Sequence, residues 1–374
     1  MIYVYQKMID VYHKLLSSCL RGGIGMRKPT LHDVAKAAGV SYATADRVLN
    51  ARGGVAEKSV LRVRKAIEEL GYERDLNAAN LSRKRHYHFR FILPNGDHSF
   101  FRALRTAVEA EQVQQRADRV LLSVVEVPAL DPEAQAEALE DEALDCDCVA
   151  IVATESTRVS EAIAALHGRG ISVVTLVGDA APEVRAAYVG IDNVMAGRTA
   201  GRLLRMAHTR RPGLVLPIIG TLSARDHRER VEGLQAVLDE AGHEVTSLPA
   251  IAVQDRSDLM RARLTGALAA HPQITAIYSI GAGNRGLLEV LAPMPPPRPL
   301  VVMHELTPTT RSGLERGLVD AVIDQKPAQE VALAIDVMKA IVVGRDWRDP
   351  AREITPTIYL KDNLPVTGST GEPI

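Results

Sequence analysis

The feature that most constrains the fold of this chain is the stretch of residues 30–50, which fits two short helices joined by one tight turn. Thr30 is suited to cap the first helix, and Asp33 three residues later completes a capping pattern. Gly39 supplies the residue that helix C-termini prefer, and Ser41 can cap a second helix. Two helices joined by a glycine-containing turn predict a helix-turn-helix, whose second helix can enter the major groove of DNA.

The second predicted helix carries side chains that suit base edges and phosphates. We expect DNA contacts from Thr30, Ser41, Tyr42, Ala43, Thr44, Arg47 and Asn50. Tyr42 and Arg47 are the expected base readers, whereas Asp46 would repel phosphate unless it accepts from a base amine or pairs with Arg47. Alone this pattern is weak, because many small helical hairpins are packing units and nothing more.

A wider match supports the DNA-binding interpretation. The matching residues are 30–50, Val55, Ala56, a predicted helix over 57–70, Gly71, Tyr72 and Leu81. At these spacings the chain resembles the DNA-binding headpiece of the lactose-repressor/galactose-repressor (LacI/GalR) family. The resemblance implies a ligand-responsive transcription regulator, expected to be a repressor, that binds double-stranded operator DNA with an inverted repeat as a homodimer.

The predicted headpiece spans residues 27–73 and is followed by a charged linker at 74–87. Apolar residues on its third helix step by three and four and predict one buried stripe, formed by Val60, Val63, Ile67 and Leu70. The resemblance implies that the linker is a hinge that becomes helical on DNA, with Leu81 wedged into the minor groove. Arg74 and Asp75 replace the usual Pro-Asn of the family, so a looser hinge is expected.

Charge is distributed unevenly along the chain. The whole sequence has a net charge of -1, yet residues 26–85 contain 13 Lys and Arg against 7 Asp and Glu. A basic headpiece on an acidic remainder suits a nucleic-acid contact confined to one end of the protein. Chance clustering of solvated charges would be the simpler explanation if the helix-turn-helix were absent.

The two ends of the chain differ from the rest. Residues 1–26 are expected to be a non-native or disordered extension ahead of a natural start at Met26, although an amphipathic helix that packs elsewhere is the open alternative. Charged residues interrupt its apolar run, so it has no signal-peptide core, and nothing later approaches a membrane span. Residues 362–374 are polar, so we expect a disordered tail. They lack leucine heptads, which favours a dimer over a coiled-coil tetramer. We expect the protein to be cytoplasmic.

Between these ends, residues 88–361 alternate apolar strands with amphipathic helices, which predicts parallel sheets covered on both faces. Strands are predicted at residues 89–93, 120–127, 148–153, 172–177, 214–219, 276–280, 300–303 and 321–324. The length requires two doubly wound α/β subdomains. This part resembles the periplasmic-binding-protein-like core of the same regulator family, whose cleft closes on a small ligand.

Ligand contacts are expected where parallel strands end, since small molecules bind at the carboxyl edges of open α/β sheets. The predicted ligand residues are His98, Phe100, Phe101, Asp179, Arg230, Asn284, Glu305 and Gln325. Phe100 offers an aromatic wall, and Phe101 is equally suited to pack the start of its helix. The resemblance implies that Arg230 clamps oxygens and that Asn284, Glu305 and Gln325 occupy ligand-contacting positions, while Arg225 and Arg228 are expected to be solvated.

These residues suggest a polyhydroxylated, sugar-like effector. His304 and Glu305 stand where sugar-binding relatives commonly have a shorter acid, which puts common hexoses in doubt and leaves room for an amino, acidic or alcohol derivative. A purine effector is the second choice, because the predicted ligand residues offer only one good aromatic wall, unlike a nucleobase site. A transport-type sugar-binding protein without regulatory role would share the cleft but would not carry residues 27–85.

An enzyme is the least supported alternative. Residues 281–286 satisfy G-x-G-x-x-G, with Glu305 about where a dinucleotide site needs its acid, but the connection to the next strand is short and proline-rich. No nucleophile elbow is present. Cys19, Cys146 and Cys148 lack the spacing of a zinc site. We therefore expect no catalytic residue, no metal and no cofactor.

Overall fold

The structure is a computed structural model that describes residues 29–49, 53–70, 72, 86–96, 98–141, 145–209, 212–240, 244–281, 283–348 and 353–366. The chain divides into two compact units, residues 1–85 and 86–374, and each is treated by itself. The predictions for residues 1–26, Asn50 and Leu81 lie outside the described residues. Part of the tail predicted to be disordered is described, and Arg311 donates to the carbonyl of Pro365 within it.

The first unit contains the predicted helix-turn-helix. Its helices are α1 (Leu31–Ala38), α2 (Tyr42–Leu49) and α3 (Glu57–Leu70). Thr30 N donates to Asp33 Oδ2 at 2.8 Å, and Asp33 N donates to Thr30 Oγ1 at 3.3 Å, which confirms the capping box. Gly39 ends α1 with a φ of 62°, and Ser41 Oγ accepts from Thr44 N at 3.1 Å. Both helix boundaries therefore follow from short-range capping chemistry.

A small apolar core joins the three helices. Its buried residues are Val34, Ala35, Ala38, Ala45, Val63 and Ala66. The stripe predicted on α3 is only partly correct, because Leu70 is 38% exposed and Val60 and Ile67 are half-buried. The ring of Tyr72 packs against the core instead, since the chain turns back after α3 and Tyr72 N donates to the carbonyl of Ile67.

The second unit has the two α/β subdomains predicted from the alternating pattern. The N-terminal subdomain contains β1 (Tyr87–Pro94), α4 (Ser99–Ala117), β2 (Val120–Val127), α5 (Pro132–Glu140), β3 (Cys148–Ile151), α6 (Thr157–Gly168), β4 (Ser172–Leu176) and β5 (Ala187–Val189). These strands form one parallel sheet in the order β2-β1-β3-β4-β5.

The C-terminal subdomain contains α7 (Asn193–Ala207), β6 (Gly213–Ile219), α8 (Arg225–Leu238), β7 (Val245–Ser247), β8 (Ile251–Ala252), α9 (Ser257–Ala270), β9 (Ala276–Ser279), α10 (Asn284–Leu291), β10 (Leu300–His304), α11 (Pro308–Glu315), β11 (Ala321–Asp324) and, beyond α12 (Pro327–Val342), β12 (Thr357–Tyr359). Its sheet has the order β12-β11-β10-β9-β6-β7, with β8 also beside β6. All pairs are parallel except the antiparallel pair of β11 and β12.

The eight strands predicted from the sequence all form, each within two residues of its predicted ends. Four further strands, β5, β7, β8 and β12, were not expected. Each contains only two or three residues, which is too short for a hydrophobic period to reveal. Within the described part of the chain, every helix is too short or too polar to cross a membrane.

The chain passes between the subdomains at three places, after β5, after β11 and after α12. Helix α12 follows a strand of the C-terminal sheet but packs on the N-terminal sheet, where Val331, Ala334 and Ile335 join the core that contains Phe89 and Phe91. The predicted cleft between two subdomains is a consequence of these crossings.

Two helices of the C-terminal subdomain, α7 and α8, approach until their backbones touch. A Cβ atom at Gly197 of α7 would lie 2.0 Å from the carbonyl oxygen of Arg230, and one at Gly233 of α8 would lie 2.1 Å from that of Val194. Backbone atoms cannot give way as a flexible side chain can. Glycine at both positions is therefore required for this packing, and the packing fixes the backbone of Arg230.

We predict that Gly197→Ala lowers the stability of the second unit. The added methyl group collides with a carbonyl group, and overpacking of this kind costs about 1–3 kcal/mol or more. Gly266→Ala is the matched control, because Gly266 also lies in a helix and has nothing near its Cβ position. That change should be neutral or stabilise by up to about 1 kcal/mol. Scanning calorimetry of the full chain measures both, and equal melting temperatures for the two variants would contradict the contact.

Candidate effector cleft and DNA-binding surface

The exposed face of α2 carries the residues predicted to contact DNA. Ala45 is buried, whereas Ser41, Ala43 and Arg47 are exposed, and Tyr42 is 53% exposed. The hydroxyl groups of Ser41 and Thr44 are 2.8 Å apart, so Thr44 also supports the helix start. Thr30 is half-buried in its capping box. The helix thus presents Tyr42 and Arg47 outward, as a reading surface requires.

His32 is an addition that the sequence pattern did not single out. It is exposed in the first turn of α1, and its ring lies 6.0 Å from the ring of Tyr42. The signal was weak because a histidine in a first helical turn is usually only solvated. Because it lies beside Tyr42, His32 belongs to the same exposed surface as the predicted base readers.

On the N-terminal side of the cleft, three rings gather where β1 leads into α4. His98 caps α4, since its Nδ1 accepts from Phe100 N at 3.2 Å. Its ring lies 4.6 Å from that of Phe101. Phe100 is only 4% exposed and belongs to the subdomain core, whereas Phe101 is half-buried. The aromatic wall predicted at Phe100 is therefore shared with Phe101.

On the opposite side, the guanidinium of Arg230 is held by the protein itself. Arg230 is 2% exposed. Its Nε donates to Asn193 Oδ1 at 2.9 Å, and its Nη1 donates to the Ile280 carbonyl at 3.2 Å. Its Nη2 donates to Gln325 Oε1 at 3.4 Å. A buried cation needs such partners because its removal from water is costly.

Glu305 is the most unusual group in the cleft. Gln325 Nε2 donates to Glu305 Oε1 at 2.6 Å, while Oε2 is buried without a hydrogen-bond partner among the described residues. Burial raises the pKa of Glu305 to about 8, and the nearby carboxylate of Asp324 adds to this rise. The carboxyl group is therefore largely protonated near neutral pH when the cleft contains only protein.

Two histidines of the cleft, the buried His304 and the half-buried His98, have lowered pKa values. Burial holds the pKa of His304 well below its ordinary value, and the cation of Arg230 acts in the same direction. His304 Nε2 lies 2.7 Å from the hydroxyl of Tyr278, and its Nδ1 is buried without a partner in the described part of the chain. Burial also lowers the pKa of His98, and the carboxylate of Asp255 across the cleft opposes this effect.

Backbone strain is concentrated at this cleft. Val177, Asp255 and Glu305 have φ values of 64°, 55° and 66°, a conformation that residues with a Cβ atom rarely adopt. For the β-branched Val177 it is especially unfavourable. Strained residues of this kind persist where the surrounding structure holds them, and they are frequent at binding sites.

The cleft contains a cavity of about 70 Å³. Its lining comprises His98, Phe100, Phe101, Val177, Asp226, His227, Arg230, Asp255, Ile280, Gly281, Asn284, His304, Glu305, Thr307 and Gln325. Seven of the eight predicted ligand residues are among them. Such a volume holds about five water molecules. This volume is smaller than a hexose, so we expect the cleft to widen when it binds one.

Asp179 is the predicted ligand residue that does not line the cavity. Its Oδ1 accepts from Thr175 Oγ1 at 2.5 Å and from Ala180 N at 3.0 Å, and it pairs with Arg185 Nε at 2.6 Å. Its other oxygen lies 3.7 Å from Arg225 Nη1, on the opposite subdomain. Asp179 does follow a strand, as predicted, but its carboxylate is already hydrogen-bonded to and paired with neighbouring side chains.

The expectation that Arg225 and Arg228 are merely solvated is wrong. Both lie at the start of α8 and pair with acids of the N-terminal subdomain, Arg225 with Asp179 and Arg228 with Glu155. Arg225 also donates to the carbonyl of Ala180 at 3.5 Å. These ion pairs join the two subdomains beside the cleft. A sequence alone does not show which acid of another subdomain an arginine will meet.

Larger hollows also open on the surface. One of about 510 Å³ lies beside the crossings and is lined by residues such as Tyr188, Met195 and Trp347. Another of about 430 Å³ lies between α5 and α6. The smaller cleft remains the candidate site, because buried polar groups with shifted pKa values converge there as they do at binding sites.

Comparison with known proteins agrees with this architecture. Residues 89–346 match the model of a periplasmic binding protein domain, and residues 30–75 match that of bacterial regulatory proteins of the lacI family. The chain belongs to the periplasmic-binding-protein-domain family over most of its second unit. Its first unit contains a helix-turn-helix domain of the lacI type.

Individual relatives are more distant. This chain is 28% identical over 220 residues to the transcriptional regulator DegA of Bacillus subtilis, and the alignment covers 58% of this chain and 62% of DegA. It is 27% identical over 193 residues to the sucrose operon repressor of Streptococcus mutans, covering 50% and 55%. These alignments thus span between half and two thirds of each relative's length. The glucose-galactose binding protein GanP of Geobacillus stearothermophilus superposes with a TM-score of 0.67 at 25% identity, covering 75% of this chain and 100% of GanP.

We predict that Glu305 makes the ligand-free protein less stable as pH rises. An unfolded glutamate ionises near pH 4.5, whereas the folded pKa of Glu305 is about 8. Between these values the unfolded state loses its proton first, so the free energy of unfolding falls with rising pH. Glu305→Gln removes this dependence. Its melting temperature relative to the parent should therefore increase from pH 5 to pH 8.

Glu289→Gln, on the exposed side of α10, is the control and should give a pH-independent difference. A constant difference for Glu305→Gln over the same range would contradict the raised pKa of Glu305.

Proposed function

We propose that this protein is a sequence-specific DNA-binding transcription regulator, acting as a repressor, whose operator affinity is controlled by a small sugar-like effector. The observation that carries this proposal is the combination in one chain of an outward-facing recognition helix and a cleft lined by buried polar groups. Relatives that are named as regulators, including a sucrose operon repressor, support it.

DNA is read by α2 in the major groove. Tyr42 and Arg47 contact base edges, while Thr30, Ser41, Ala43, Thr44 and Asn50 contact the backbone or flanking bases. A homodimer places two such helices on an inverted repeat with half-sites about one helical turn apart. Leu81 of each chain enters the central base step in this proposal, which rests on the family resemblance because that residue lies outside the described part of the chain.

The effector lies between the subdomains. Carbon faces of a sugar-like ring pack on Phe101 and Phe100, and hydroxyl groups exchange hydrogen bonds with Arg230, Asn284 and Gln325. Binding rearranges the contacts that Arg225 and Arg228 make across the cleft, and this changes the geometry that the hinge passes to the headpieces. A transport-type binding protein without regulatory role is not favoured, since residues 30–75 match the regulatory family.

The proposal is tested by band-shift assays with fragments of total chromosomal DNA, followed by titration of the bound fragment with sugars and polyols. We expect a small set of retained fragments that share an inverted repeat, and an effect of at least one sugar-like compound on their retention. Uniform binding of all fragments would contradict sequence-specific regulation. Stabilisation of the protein by a purine but by no sugar-like compound would contradict the effector class.

We predict that Arg47→Ala weakens operator binding by about 1–3 kcal/mol and relaxes preference at one base position. The reason is the loss of paired donors to a base edge. Arg285→Ala is the control, because this highly exposed arginine belongs to the second unit and its removal changes the net charge equally. Selection from a random DNA pool measures the base preference. If the variant selects the same sequence as the parent, Arg47 does not read a base.

We predict that Arg230→Ala weakens the response to effector tenfold or more while it spares operator affinity without effector. Loss of a buried hydrogen-bonding partner costs about 1–3 kcal/mol, and more when a charged group is left behind. Arg261→Ala, on the outer surface of α9, controls for the loss of an arginine. Thermal shifts on parent and variants measure effector affinity. An undiminished response in Arg230→Ala would exclude Arg230 from the effector site.

A further inference from the structure

The cleft is lined by more negative than positive side chains. Asp226, Asp255 and Glu305 contribute carboxyl groups, and Arg230 contributes the single guanidinium. Two of the three cleft histidines, His98 and His304, have pKa values lowered by burial and add no charge near neutral pH. A ligand that enters this cavity therefore meets the carboxylates of Asp226 and Asp255, and the largely protonated carboxyl group of Glu305, against one guanidinium.

The one cation is already largely engaged. Of the five N–H groups of a guanidinium, Arg230 uses three on Asn193, the Ile280 carbonyl and Gln325. All three partners are uncharged acceptors that belong to the protein. A ligand carboxylate would have to compete with them for Arg230 and would at the same time face the acids of the lining.

Two buried polar atoms of the lining, which accept hydrogen bonds when Glu305 is ionised and His304 is the Nε2–H tautomer, have no protein partner within the described residues. These are Glu305 Oε2 and, when Nε2 of His304 donates to the Tyr278 hydroxyl, His304 Nδ1. Glu305 is 9% exposed and His304 is 1% exposed, so the unliganded protein offers them little water. A buried polar atom without a partner is unfavourable, and a ligand donor would relieve this cost.

From this arrangement we propose that the effector carries a positively charged amino group beside its hydroxyl groups, as an amino sugar or an amino polyol does, and that Glu305 accepts from that amino group. The inference rests on the proposed effector site and names its ligand class. An ammonium group brings three N–H donors and a charge. It therefore satisfies Glu305 Oε2 and a second acceptor together, whereas a hydroxyl group donates only once.

A positive charge on the ligand would also change the protonation state of Glu305. An ammonium group beside the Glu305 carboxyl group favours its ionised form, which offers four lone-pair sites. A sugar acid in the same place would add a further negative charge to a site of low dielectric, where like charges repel strongly. The cleft thus discriminates by charge as well as by hydroxyl pattern.

The test uses the full chain at pH 7 and three matched sets of compounds. Each set contains a hexose, its 2-amino form and its uronic acid, for glucose, galactose and mannose. Affinities are measured by calorimetry for the parent, for Glu305→Gln and for Glu305→Asp. We expect an amino form to bind at least tenfold more tightly than its own hexose and uronic acid. Glu305→Gln should abolish this preference, and Glu305→Asp, which keeps the charge, should retain part of it.

The outcomes separate this inference from the proposed function. Binding of a hexose or a uronic acid as tightly as its amino form overturns the charge preference and leaves the sugar-responsive function intact. An amino preference that survives Glu305→Gln overturns the assignment to Glu305. If no compound of any set binds, the sugar-like effector fails together with this inference, while the band-shift assay still decides DNA binding. Glu289→Gln, on the exposed surface, should leave every affinity unchanged.

Discussion

The guanidinium of Arg230 lies almost out of reach of water and joins three segments that are distant in the sequence: the start of α7 at Asn193, the end of β9 at Ile280 and the crossing after β11 at Gln325. A buried cation that lost these acceptors would cost several kcal/mol. The three segments are therefore held in register by one side chain. Two of them flank the passages of the chain between the subdomains, so the same contact ties the floor of the cleft to its crossings.

The position of that side chain depends in turn on two glycines. Gly197 and Gly233 let α7 and α8 touch backbone to backbone, and the carbonyl of Arg230 is one of the atoms in contact. Because its carbonyl group is in this contact, the backbone of Arg230 cannot move relative to α7 when a ligand binds. We therefore expect rearrangement elsewhere, at the ion pairs that Arg225 and Arg228 make across the cleft.

Features determined by neighbouring residues could be predicted from the sequence, and features determined by tertiary contact could not. The caps at Thr30 and Ser41 depend on partners within three residues, and the long strands are revealed by their own periodicity. Asp255 was missed because it follows β8, a strand of two residues. Asp179 was placed at the correct strand end, but its carboxylate is taken by Thr175 and Arg185, a competition that only the fold decides.

The unliganded cleft stores unfavourable free energy in several forms. Val177 and Glu305 have strained backbones, and Glu305 and His304 bury polar atoms without a hydrogen-bond partner within the described residues. A ligand can shift a protein between two arrangements only by the difference in its binding free energy for them. A compound that satisfies these atoms in one arrangement and cannot reach them in the other has such a difference, and the strain makes the closed cleft receptive to it.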